Sequence, residues 1–349
     1  MDKENESMSL AERLMEKKVN NKKVNSYNNK EIDKKRDFFE LYNELYRKNK
    51  HYLNQLRKRE VKRNNKIVSA IILFLIIMLL AYFFNELFFQ IIAFTILFSM
   101  IPAIIIITVL RFKRRFSTNK KVTFDKEFKE RIVRPIIQNL LPNSNIVFEY
   151  GLSSKVYEYC SHEEYDTYSS SNYIESAIKI SDDTNFDTTL HICNVKTKKE
   201  IKNGEDTRLK TVFDGMLATL ELPKKFNGEL RVLRNNSIYN NSVHKLEMDM
   251  GEFEKTFDIH TNNKINTMQW LTSDTMSEIL NLLNKYNFNI EFCIVDNLLV
   301  IRFFIKNEIE NMLIGNQLYL DRVKTYIKQL EKVIEITSYI VKSYNEVEL

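Results

Sequence analysis

The sequence predicts an α+β fold: a two-helix transmembrane hairpin joined to a soluble antiparallel-sheet domain with flanking helices and a long C-terminal helix. Three observations predict it. Residues 67–110 contain one acid, Glu86, and no base. From about residue 174 the chain turns to β-branched and aromatic runs, broken by hairpin-type pairs such as Asn203-Gly204 and Asn227-Gly228. Residues 318–344 then place apolar side chains at alternating threes and fours, the spacing of one helix face.

The N-terminal segment, residues 1–66, is polar and basic. Phe38, Tyr42, Leu45, Tyr52, Leu53 and Leu56 recur at spacings of three, four and seven, which predicts an amphipathic helix over about 31–64. The apolar block follows. A single helix through it would reach roughly 66 Å, about twice the ~30 Å hydrocarbon core, so it is expected to fold back. The polar pair Asn85-Glu86 marks the turn, giving spans at 67–84 and 87–110, with Pro102 a kink point in the second. Lys62, Arg63 and Lys66 precede the block, and Arg111, Lys113, Arg114 and Arg115 follow it. Basic flanks at both ends predict a multi-pass protein of the inner (plasma) membrane with both termini cytoplasmic.

The remaining residues, 111–349, are expected to form the α+β domain. Phe124–Leu141 reads as a helix weakened at Pro135 and stopped at Pro142-Asn143. Strands are predicted at 174–180, 188–196, 208–222, 229–234, 244–250 and 257–260. A helix over 273–285, N-capped by Ser273, leads to a hairpin of 289–295 and 298–304 turned at Asp296-Asn297. The closing helix presents Tyr319, Val323, Tyr326, Leu330, Val333, Thr337, Ile340 and Tyr344, to cover the sheet or to pair with a second copy.

The net charge of +6 is unevenly spread: the first 121 residues hold about +13 and the rest about −7. Basic residues flanking an apolar block point to anionic lipid headgroups of a bilayer as partner. No zinc-finger spacing or RNA-binding aromatic motif supports nucleic acid. The three cysteines, Cys160, Cys193 and Cys293, are scattered and odd in number, unlike a disulfide framework.

No catalytic residue, cofactor site or metal site is predicted. The six glycines are isolated, so no phosphate-cradling loop exists. His191 and Cys193 would share one strand face, two ligands where zinc needs three or more. Cys160 with His162 is an isolated pair. Asp182-Asp183 and Glu163-Glu164 are adjacent acids without a reason to converge, and Glu252, Glu254 and Lys255 read as a solvated face. The function expected is a membrane-anchored, cytoplasm-facing interaction or scaffold module, binding a protein partner or its own copy. The alternatives are an enzyme acting on a membrane-associated substrate and a subunit of a channel or signalling complex.

Two blocks carry a resemblance. One is Thr211-Val212-Phe213-Asp214-Gly215 with Lys224-Lys225-Phe226-Asn227-Gly228. The other is Glu252-Phe253-Glu254-Lys255-Thr256-Phe257-Asp258-Ile259-His260 with Leu271-Thr272. Together they resemble an uncharacterised bacterial family of membrane proteins with a cytoplasmic domain of unknown function, over about residues 124–340. Ile259-His260 stands where that family has Val-Tyr. The resemblance implies the architecture and no catalytic residue. Physically, Phe213, Phe226, Phe253 and Phe257 read as core anchors, and Gly215 within a strand as a bulge or a close backbone approach.

Overall fold

A computed structural model of the chain describes residues 37–83, 123–179, 187–203, 206–235, 244–305 and 319–347. The chain divides into two compact units, one of residues 43–132 and one of residues 1–42 and 133–349.

The smaller unit is built on α1 (Phe38–Phe83), a helix of 46 residues that would rise roughly 69 Å. Asp37 starts it, its carboxylate accepting the Phe39 N–H at 3.1 Å. Leu53, Leu56 and Glu60 form a buried stripe at helical spacing. The Glu60 carboxylate accepts the Phe124 N–H at 3.3 Å, where α2 (Phe124–Phe128) begins. Arg131 donates to Glu127 at 2.7 Å and lies 4.6 Å from the centre of the Tyr52 ring. The predicted helix over 124–141 persists, but Lys129–Val133 widens to a π-turn before α3 (Arg134–Leu140). Pro135 explains it: proline lacks the N–H an α-turn needs, and its ring crowds the preceding turn.

The transmembrane hairpin is corrected. Among the described residues no helix is long and apolar enough to cross a membrane. The multi-pass inner-membrane placement with cytoplasmic termini rested on that hairpin and falls with it. Residues 67–83 do not start a helix of their own; they continue α1, directly behind its basic turns. They rise about 26 Å, less than the ~30 Å hydrocarbon core. The expected second span, 87–110, and the turn at Asn85-Glu86 lie outside the described residues.

The larger unit is one nine-stranded antiparallel sheet in the order β1-β2-β3-β4-β9-β8-β5-β7-β6. Its strands are β1 (Asn145–Val147), β2 (Thr167–Lys179), β3 (Asp187–Asn203), β4 (Asp206–Glu221), β5 (Glu229–Arg234), β6 (His244–Leu246), β7 (Phe257–Thr261), β8 (Ile290–Val295) and β9 (Leu298–Phe303). The expected antiparallel sheet with helices is therefore present. Between β4 and β9 runs the one long-range seam that joins the two halves of the sheet, with Leu217 opposite Arg302. Gly215 sits at its edge, where an added Cβ would lie 2.1 Å from the Phe303 carbonyl oxygen. That is the close backbone approach, and only glycine permits it.

One face is covered by the segment around α4 (Ser154–Glu158), which packs Val156, Tyr157 and Cys160 onto Cys193, Phe213, Leu217, Cys293 and Val300. The helices α5 (Gly251–Thr256), α6 (Lys264–Trp270), α7 (Ser273–Tyr286) and α8 (Tyr319–Asn345) complete the unit. Trp270 bridges sheet and helix: its ring meets Phe292 of β8 at 5.9 Å and Tyr344 of α8 at 5.4 Å, and its N–H donates to Ser343 at 3.2 Å. The heptad positions Val323, Tyr326, Leu330, Val333, Thr337, Ile340 and Tyr344 are all buried here. The seam of α8 is thus spent inside its own unit.

Candidate functional site

Among the described residues, a dense group of ionisable side chains grows out of the β8–β9 hairpin. Its two-residue tip, Asp296-Asn297, has Asp296 at φ 56° and sets Glu291 directly opposite Arg302. Both side chains are fully buried. One Arg302 nitrogen, Nη1, donates to Glu291 at 2.8 Å. The other, Nη2, donates to the Tyr157 hydroxyl at 3.0 Å and to Glu163 at 2.5 Å. The rings of Tyr157, Phe213 and Phe304 stand 5.0, 4.8 and 5.3 Å from the guanidinium carbon. The second Glu291 oxygen accepts from Arg234 Nε at 3.1 Å, and His162 Nδ1 lies 4.0 Å from the first.

Two guanidinium groups thus face two carboxylates, and the cluster sums to zero with His162 neutral. Burial works against the Arg302 charge, yet Glu291, Tyr157 and Glu163 together drive its pKa up. Burial lowers the pKa of His162; Glu291 and Glu163 pull the other way without prevailing, and Arg302 and Arg234 lower it further. Burial raises the Tyr157 hydroxyl and holds the Cys160 thiol well above its ordinary value. Cys193 is pushed up to about 12 by the same cause. These two thiols are protonated and are poor nucleophiles. Both carboxylates are already committed to guanidinium groups. Four cavities among the described residues lie elsewhere. The cluster is balanced in charge, although Arg302 Nε and His162 Nδ1 are buried without a hydrogen-bond partner, and through Tyr157 and Glu163 it pins residues 157–163 to the centre of the sheet.

The largest of those cavities, ≈ 840 Å³, runs along α1 beside Arg57, Lys58, Lys62 and Lys66. Beyond Glu60 the character of α1 changes. From Val61 to Leu79 every residue whose side chain is described is exposed. The large apolar ones described among Val68 to Leu79 are 49–59% exposed. Residues 57–66 carry six bases and one acid, and that acid is the buried Glu60.

The residues singled out in sequence have varied fates. His191 and Cys193 do share a face, but His191 Nδ1 and the Tyr173 hydroxyl share a hydrogen bond at 2.8 Å and Cys193 sits in the apolar core. Among the described residues no three His, Cys, Asp or Glu gather as for a metal ion. Cys160 and His162 border the Arg302 cluster. Glu163 joins it, while Glu164 pairs with Lys199 at 2.7 Å in solvent. Asp182-Asp183 lies outside the described residues. Glu252, Glu254 and Lys255 fall on α5, and Glu254 accepts the Met248 N–H at 2.5 Å. Phe213, Phe226, Phe253 and Phe257 are all core residues. Sequence reading missed Glu291, Arg302, Arg234 and Tyr157.

Fold and site together define an α+β chain with a pinned central sheet and a long exposed helix. A family model described as "Protein of unknown function (DUF3137)" matches residues 211–341. That match starts at Thr211, the first residue of the resembling motif, and supports the likeness to an uncharacterised family over a narrower stretch than 124–340. It carries nothing on a bacterial source or a membrane. No curated protein and no solved structure matches the chain.

Proposed function

We propose that this chain is an interaction module that engages its partner through the exposed length of α1. The observation carrying the reading is that every described side chain from Val61 to Leu79 is exposed, bases first and bulky apolar residues behind them. Apolar residues exposed in a contiguous patch are costly in water and mark interaction surfaces. The other strong apolar seam, on α8, is already used. Enzymatic action on a membrane-associated substrate would call for an open cleft with converging ionisable groups, and the Arg302 cluster offers its groups to each other instead.

A photo-crosslinking side chain placed at Leu75 of the full chain tests this in cells. Leu209 of β4, also exposed, is the control. One reproducible class of adduct at Leu75 and none at Leu209 is expected. No adduct at Leu75, or equal capture at both positions, overturns the proposal.

A further inference from the structure

The partner's chemistry can be read from how charge and apolarity are arranged on α1; this inference rests on the reading that α1 is the binding element. A helix meant for one partner helix shows an apolar stripe of about 100°. At 100° per residue, the exposed apolar positions from Ile71 round to Leu73 cover about 200° of α1. An environment that surrounds the helix fits such a surface better than a neighbour on one side. The bases, moreover, are not on the opposite face of that run. They precede it along the axis, at Arg57, Lys58, Lys62 and Lys66, beside an open groove of ≈ 840 Å³. Polar and apolar zones stacked along an axis match the layers of a bilayer met end-on: phosphates first, acyl chains behind.

We infer that α1 docks end-on into an anionic lipid bilayer, with its basic turns at the headgroup phosphates and residues 68–79 among the acyl chains. Lys66 to Leu79 make up about 20 Å of rise along α1, a length that fits within the ~30 Å hydrocarbon layer.

The test is flotation of the full chain with phosphatidylcholine vesicles, with and without phosphatidylglycerol. The chain is expected to float with the anionic vesicles and to be released by salt in part. Lys58→Gln, Lys62→Gln and Lys66→Gln combined should weaken partitioning about 100-fold. Ile72→Asp with Ile76→Asp should abolish it. All five positions are exposed, and unchanged far-UV circular dichroism, together with unchanged emission from buried Trp270, verifies that both α1 and the sheet unit fold in the variants. Acyl-brominated lipid should quench a Trp placed at Leu75. A chain that ignores anionic vesicles but sediments as an oligomer broken by Ile72→Asp overturns the lipid assignment and keeps α1 as binding element. A chain that neither floats nor associates overturns both.

Discussion

Removing the Arg302 guanidinium leaves Glu291 buried with half its partners. Breaking such a pair from one side costs about 3–5 kcal/mol, because a charge stays desolvated. Arg302→Met should lower stability by about that amount in urea titrations, and Arg302→Met with Glu291→Leu should recover more than half of it. His162 adds a pH dependence. Its folded pKa lies below the ordinary value of about 6.5, so the unfolded chain takes up the proton first as pH falls. The stability it permits is present above about 6.5 and is lost as pH drops through the folded value. Urea midpoints measured from neutral to mildly acidic pH should fall, and His162→Gln should flatten that slope. The cluster left a mark in the sequence. Ile290–Val295 and Leu298–Phe303 hold one acid and one base amid apolar neighbours. A two-residue tip at Asp296-Asn297 makes those two directly opposed. Nothing comparable points to Glu163 or Tyr157, which arrive from more than a hundred residues upstream through tertiary packing.

Elements with a strong local signal came out close to expectation, and those built on polar sequence did not. The heptad of α8, the β8–β9 hairpin and β5 were readable because apolar period and turn chemistry agreed. The 273–286 helix is present, but Thr272 caps it: its hydroxyl accepts the Thr275 N–H at 3.3 Å, one residue before the expected cap. Thr272→Ala should cost about 1 kcal/mol in thermal or urea unfolding, and Ser273→Ala should cost a few tenths. β2 and β3 run well past their predicted ends. There Thr167 pairs with Lys198 and Ser169 with Lys196, while Lys199 pairs with Lys210, through backbone ladders that hydrophobic alternation cannot announce. Asn172, at φ 54°, marks a register shift in β2 between Ser171 and Ile174. β6 is shorter than predicted, because Gly251–Thr256 turns into α5 and takes Glu254 with it. The amphipathic helix expected over 31–64 is the buried part of α1, described from Phe38; the apolar stretch behind it continues the same helix.

At the scale of the molecule, the family match cuts across the larger unit. Residues 211–341 begin within β4 and leave β1 to β3 behind, along with the segment that covers Phe213 and Leu217. A piece limited to those residues would expose the β4 edge and its apolar face, an arrangement that recruits other chains. Expressed alone, 211–341 should elute as aggregate on size exclusion, whereas 133–349 should elute as a compact species with buried-tryptophan emission. The membrane hairpin read from hydropathy is the largest departure. A count of apolar residues does not report where a helix begins, and here the helix begins at Phe38.

The tip of the β8–β9 hairpin has a reach beyond its two residues. Because strand side chains alternate, one extra residue inserted there would slide β8 by a notch and turn Glu291 toward the layer of Trp270 and Tyr344. Arg302 would be left among three aromatic rings with Glu163 as its one remaining carboxylate of the cluster. This two-residue connection therefore meters the alignment of the charged centre.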